Sequence, residues 1–225
     1  MTKWLEYALT LLEGLQITLL ITGSGLLLGL LIALLLTWIL DRRVPVLNWL
    51  AEGYLLLITG TPLLVQIFLI YYGPAQFDWI KQSWVWEYLR EPLFCAILAL
   101  GMNAGAYTCR LFKGALDAVP RGETLACRAL GMSEWQTLSV KLRHAMRRVI
   151  PAYSNEVVLV LKGSSLASTI SIMDIMGLAQ RINGQTYDTL AVFGVAGAMY
   201  LLMNSLLTGL FRLLERRALA FQQQG

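Results

Sequence analysis

Glu156, Lys162 and Asp174 are the residues whose placement first asks for a chemical explanation. They fall within, or at the end of, one otherwise apolar stretch near 149–173. At the centre of a membrane helix each charged side chain costs roughly 2.5–3.5 kcal/mol on insertion scales. Two readings stand. In one, Glu156 and Asp174 lie near opposite membrane surfaces. In the other, they line a polar path or pair with another helix. Glu156 and Lys162 would be about 9 Å apart along a helix and about 120° around it. That spacing does not make them i,i+4 partners. Asn103, Asn155, Ser164, Ser165, Ser168 and Thr169 add hydrogen-bonding groups to such a path.

Catalytic patterns are missing. No G-x-x-x-x-G-K-[ST] loop occurs, and Lys162-Gly163-Ser164-Ser165 has the wrong order for one. No G-x-S-x-G elbow, H-E-x-x-H pair or paired-carboxylate cluster is found either. No catalytic residue is assigned and the chain is not read as an enzyme. Cys95, Cys109 and Cys127 have no C-x-x-C spacing and read as small buried hydrophobes. His144 is the single histidine and brings no companion ligands, so no metal site is expected.

The elements that must hold these residues follow from composition. Of 225 residues 57% are apolar and only 14% charged, with mean hydropathy +0.61. A soluble domain carries about 25% charge. Stretches 14–40, 53–77, 92–109 and 189–211 hold no Asp, Glu, Lys or Arg. Each is near or above the roughly 18 apolar residues that span a bilayer. The chain therefore reads as one polytopic, all-α membrane domain over 1–225. Its spans are expected near 15–40, 46–72, 92–111, 149–173 and 189–210. The first is read as a retained span, because Glu6 and Glu13 and the long apolar run do not fit a signal peptide.

Local signals refine this layout. Gly25-Leu-Leu-Leu-Gly29 is a small-xxx-small face that admits a neighbouring helix. Asp41-Arg42-Arg43 closes the first span. Gly60-Thr61-Pro62 interrupts the second, with Thr61 expected as an N-cap and Pro62 as the first residue of a new helix. Broken backbone at that depth survives only where it is buried or lines a cavity. Trp79, Trp84, Trp86 and Tyr88, interleaved with charge, mark an interfacial segment over 74–91.

Charge asymmetry sets an expected orientation. Five spans place 41–53, 112–148 and the C-terminal tail, with Arg212, Arg216 and Arg217, on one side. With the junctional Arg110, these hold thirteen of the 18 basic residues. Lys3, Lys81, Arg90 and Arg181 fall on the other side. The positive-inside rule then puts the N-terminus outside and the C-terminus inside. On the inner side, 122–130 forms a short helix stopped by Gly131. Ser133-Glu134-Trp135-Gln136 matches a capping box that opens a second, amphipathic helix. This pair either lies on the headgroups or docks against a partner.

Here a family enters. Gly122-Glu-Thr-Leu-Ala-Cys-Arg-Ala-Leu-Gly131 resembles the cytoplasmic loop of ABC importer permeases, written E-A-A followed three residues later by G. Gly60-Thr-Pro-Leu-Leu-Val-Gln66, Ala152-Tyr-Ser-Asn-Glu156 and Lys162-Gly-Ser-Ser-Leu166 look like its polar amino acid branch. The similarity runs from about residue 10 to 215. It is nearest to the M-type permeases of arginine importers, in the histidine/lysine/arginine/ornithine group. The pattern departs at Leu125, where the family has Glu, at Cys127, where it has Ala, and at Arg143, where it has Pro.

The resemblance implies a five-span type I ABC importer permease in a bacterial inner membrane. It implies a cargo that is a polar amino acid, arginine or another basic one. Partners would be a dimer of ATP-binding subunits, a second permease subunit, related or identical, a periplasmic solute-binding protein and the lipid bilayer. Nucleic acid has no part. No cofactor belongs on this chain, since ATP and Mg belong to the ATPase. Leu125, Ala126, Gly131 and Ser133 would form the coupling loop to that ATPase, within 112–148. Asn103, Glu156, Lys162, Ser164 and Asp174 are the candidate path residues. An ion-gradient secondary transporter, which would normally need more spans or an internal repeat, and a channel subunit are the competing readings.

Overall fold

Helices α2 (Leu15–Arg42) and α7 (Pro92–Asp117) form the most extensive packed pair in the molecule. Small residues let their backbones approach. A Cβ added at Gly29 would stand 2.8 Å from the Ala104 Cβ, and one at Gly101 would stand 2.6 Å from Leu28 Cδ2. The expected face of Gly25 and Gly29 is therefore the face that meets α7. Dispersion contacts between close backbones supply the attraction that hydrophobicity cannot supply inside lipid.

The computed structural model describes residues 2–42 and 44–219. Arg43 and the side chains of Arg216 and Arg217 lie outside the described residues. The remaining helices are α1 (Thr2–Glu13), α3 (Pro45–Gly60), α4 (Leu63–Tyr72), α5 (Asp78–Lys81), α6 (Trp86–Leu89), α8 (Arg121–Ala129), α9 (Glu134–Ser164), α10 (Ile175–Thr186) and α11 (Thr189–Leu219). Short 3₁₀ turns occupy Pro74–Gln76 and Ser165–Ile170. Pro45 and Pro92 sit in the first turns of α3 and α7, where a missing N–H costs nothing.

Among the described residues, three helices are long and apolar enough to cross a membrane: Leu15–Arg42, Pro92–Asp117 and Thr189–Leu213. Two bent pairs raise the number to as many as five. One joins α3 to α4 through a 108° bend, and the other joins α9 to α10 through 48°. A core of Ile21, Ile67, Leu100, Val160 and Ile170 gathers α2, α4, α7, α9 and the turn after α9. A second core of Leu11, Ile175, Ala179 and Val192 gathers α1, α10 and α11.

Several expectations need correction. Thr61 is not an N-cap; it closes α3, and its hydroxyl donates back to Leu57 O at 2.9 Å. Pro62 is the cap position, and α4 begins at Leu63. Helix α7 runs on beyond the expected span of 92–111, to Asp117. The second loop helix is not separate from the fourth apolar stretch. It runs unbroken from Glu134 to Ser164, through Pro151. Helices α1 and α10 were not anticipated at all.

Candidate functional site

The break between α3 and α4 is held by one side chain. Bending the chain by 108° strands the last carbonyls of α3. Gln66, in the first turn of α4, is buried and aims its amide at them. Its Nε2 donates to Ile58 O at 2.7 Å, to Thr61 O at 3.1 Å and to Thr61 Oγ1 at 2.9 Å. Its Oε1 accepts from Asn103 Nδ2 of α7 at 3.0 Å. Asn103 is one of the candidate path residues; Gln66 is not among them and enters the sequence reading only as the end of the Gly60–Gln66 motif. Its sequence signal is an amide inside a charge-free stretch, just after the Gly60-Thr61-Pro62 interruption.

Opposite this network runs α9. Ala115 packs with Ala145 and Val149 at one end, while Leu100 and Ala104 share a core with Val160 at the other. The two helices are thus antiparallel, and Asn103 and Glu156 stand within about one turn of the same level. Glu156 is 9% exposed. Among the described residues no Lys, Arg or His nitrogen lies within 4 Å of its carboxyl group. Lys162, six residues on, is exposed and makes no ion pair with it.

The other candidates divide differently. Asp174 is wholly buried, and its carboxyl is fully engaged. One oxygen caps α10 by accepting from Gly177 N at 2.8 Å, and the other accepts from Tyr200 Oη at 3.2 Å. Thr18 Oγ1 of α2 accepts from Ile175 N at 3.2 Å beside it. Ser164 is also fully buried and donates to Leu161 O at 2.8 Å. Ser165, Ser168 and Thr169 likewise donate to carbonyls three residues back. These hydroxyls satisfy their own backbone where α9 tightens into a 3₁₀ turn. The structure brings Asn103 and Glu156 to one level; it makes Asp174 a knot between α2, α10 and α11.

The two loop helices are held at a fixed angle. Gly131 has φ +71°, the left-handed region that a Cβ disfavours. Met132 N donates to Cys127 O across it. Ser133 caps α9, with the reciprocal Gln136 bond completing the capping box. His144 Nδ1 lies 3.3 Å from Glu123 Oε1 and ties α9 to α8. Leu125, Leu130 and Trp135 are 63%, 79% and 76% exposed, and Ala126 is exposed beside them. Uncovered apolar side chains on a braced helix–turn–helix mark a contact surface.

Comparison with known proteins decides the family. Residues 15–219 match the family described as the binding-protein-dependent transport system inner membrane component. The chain belongs to that family. Arginine ABC transporter permease protein ArtM of Escherichia coli K12 is 50% identical over 220 residues, covering 97% of this chain and 99% of ArtM. ArtM of Haemophilus influenzae is 46% identical over 218 residues, covering 97% and 96%. A crystal structure of an amino acid ABC transporter with histidines superposes with a TM-score of 0.85 at 28% identity, over 96% of this chain and 97% of that one. The protein is accordingly a multi-pass inner-membrane permease component of an ABC importer. Nucleotide binding and hydrolysis belong to its ATPase partner, and the family works with a substrate-binding protein.

Proposed function

We infer that this permease forms half of an inward path for arginine or another basic amino acid. The carrying observation is Glu156: a carboxyl group nearly closed off from solvent, without a cationic partner among the described residues, level with the Gln66–Asn103 pair. Leaving an anion unpaired at such a site is costly. A cationic cargo would supply the missing charge as it passes, and Asn103 would offer an amide to its polar groups. The names of the relatives favour the same cargo. Lys162, Ser164 and Asp174 support the path less directly, by shaping its walls. The five spans run near 15–40, 46–72, 92–111, 149–173 and 189–210, with the N-terminus periplasmic and the C-terminus cytoplasmic.

Coupling follows from the loop face within 112–148. A second permease subunit completes the path, and a dimer of ATP-binding subunits receives the loop of each half. Leu125 and Ala126 meet the ATPase, while Gly131 and Ser133 fix the angle at which they are presented. Closure of the ATPase pair on ATP pushes α8. Because α9 is one helix from Glu134 to Ser164, that push is carried along it, past Pro151, to the level of Glu156. Reconstitution of the complex with its ATPase and binding protein tests the cargo. ATPase stimulation scanned over amino acids should be strongest for arginine, lysine, ornithine or histidine. Strongest stimulation by an acidic or aliphatic amino acid would overturn this reading.

A further inference from the structure

The helix pair α8–α9 is closed at both ends, and only one end is a turn. The two helices meet at Gly131, whose φ of +71° sets the angle between them. The other end is held by side chains. Glu123 stands in the first turn of α8, about 9 Å along that helix from Ala129. His144 stands about 15 Å along α9 from Glu134. Glu123 Oε1 and His144 Nδ1 are nevertheless 3.3 Å apart. Among the described residues, this is the one ion pair between α8 and α9. Given the reading of 112–148 as the coupling loop, we propose that this pair is a proton-dependent strut. It locks α8 onto α9 so that movement of the ATPase reaches the span, and it locks most firmly when His144 is protonated.

Leverage is the first argument. A helix of nine residues is marginal by itself. Cys127 is buried, and Met132 N donates to its carbonyl at 3.0 Å, so α8 is held close to the turn. Glu123 lies one turn beyond Cys127, toward the end that joins α7. Leu125 and Ala126, the residues that would take the push, are exposed between the two. Without a tie at Glu123, a push there would swing α8 about the Gly131 turn. With the tie, the two helices and the turn close a triangle, and the push passes into α9.

Charge is the second. On this side α7 carries Lys113 and Asp117, which pair with each other. Glu123 is the only acid of α8, beside Arg121 and Arg128. Lys141, Arg147 and Arg148 lie within about a turn of His144 on α9. Among the described residues, no nitrogen of these five cations lies within 4 Å of Glu123, which leaves His144 as its partner. Both side chains of the pair are partly buried, so salt screens them less than a fully exposed pair. A histidine brings charge to such a pair only when protonated, and histidine is the side chain whose charge ordinarily changes between about pH 5 and 8. A charge-assisted hydrogen bond is roughly twice as strong as a neutral one.

Transport stoichiometry tests this. The complete transporter is placed in proteoliposomes with its binding protein and labelled arginine inside and ATP outside, and arginine released per ATP hydrolysed is measured. The ratio should rise about twofold or more as the outer pH falls from about 8 to about 6. His144→Gln and Glu123→Gln should each lower the ratio at the acid end and flatten the profile. His144→Lys, with a side chain that ordinarily stays charged across this range, should hold the ratio high at the alkaline end. A profile that still rises in His144→Gln overturns the proposal. So does a ratio at the alkaline end no higher in His144→Lys than in the unaltered protein. If His144→Gln does not assemble, Glu123→Gln takes its place with the same outcomes. Gly131→Asp separates the strut from the loop. If that variant loses coupling while the pair variants keep the unaltered ratio and profile, the loop couples without the strut. If Gly131→Asp also keeps them, the coupling-loop reading itself fails.

Discussion

Asn103 Nδ2 donates to Gln66 Oε1 at 3.0 Å, and through this bond the middle of α7 grips the break between α3 and α4. Gln66 does more of the holding, because its own amide serves Ile58 O and both oxygens of Thr61. Gln66→Met should therefore strand Ile58 O in a buried site, at a cost of about 1–3 kcal/mol. Asn103→Leu removes a single donor, the one to Gln66 Oε1, and should cost less. Melting of the detergent-solubilised complex should show a larger drop for the Gln66 variant. Equal or reversed drops would mean that the bend is held by packing alone.

The left-handed Gly131 sets the angle between α8 and α9. A residue with a Cβ pays about 1–2 kcal/mol there, and asparagine pays least. Gly131→Asp adds a charge beside the exposed Leu130 as well. Co-purification of the ATPase should fall sharply for Gly131→Asp and only slightly for Gly131→Asn. Unchanged assembly and unchanged coupled uptake in the Asp variant would make the loop a passive surface element.

Topology is open to direct labelling. Trp84 and Glu134 are both exposed, so burial does not hide either position from a reagent. On a background lacking Cys95, Cys109 and Cys127, a cysteine at 84 should react with an impermeant maleimide added outside. A cysteine at 134 should react only after the membrane is opened. The reverse pattern would invert the orientation drawn from the basic residues.

Much of this architecture is legible in the chain, and the misses share a cause. Charge-free stretches mark α2, α7 and α11 because lipid leaves a one-dimensional signal: unbroken apolar length. The capping box at Ser133 and the stop at Gly131 are local chemistry, and both are found where the residues place them. Helices α1 and α10 carry no such signal. They are twelve residues each, mixed in polarity, and packed together with α11 around Leu11, Ile175 and Val192. Isolated helices of that length are marginal in water, so tertiary contact decides them. The junction of loop helix and span was misread for the opposite reason. Hydropathy changes near 149, but the helix runs on, losing only the bond that Pro151, without an N–H, cannot donate. The serines after Lys162 looked like path donors by type; their bonds to carbonyls three residues back were invisible without the 3₁₀ turn.

Glu156 and Asp174 look alike in the sequence, as lone acids in one apolar stretch, yet their surroundings predict opposite responses to substitution. Asp174 accepts from Gly177 N and from Tyr200 Oη. Asparagine keeps the cap, since its Oδ1 can accept from Gly177, and its amide can turn toward the Tyr200 oxygen. Asp174→Asn should be tolerated, with near-normal abundance and uptake. Asp174→Ala loses both bonds at a buried helix start, a loss of about 1–3 kcal/mol with the unpaired Tyr200 hydroxyl included. Its uptake should fall in step with its abundance. Glu156 has no such bonds to lose. Glu156→Gln should therefore leave abundance intact and still depress uptake of a cationic amino acid by tenfold or more, on the order of 1.4 kcal/mol of lost attraction. Quantitative blotting of membranes beside radiolabelled arginine uptake separates the cases. If uptake per molecule is unchanged in Glu156→Gln, the carboxyl group is a structural feature of α9 and the cargo passes elsewhere.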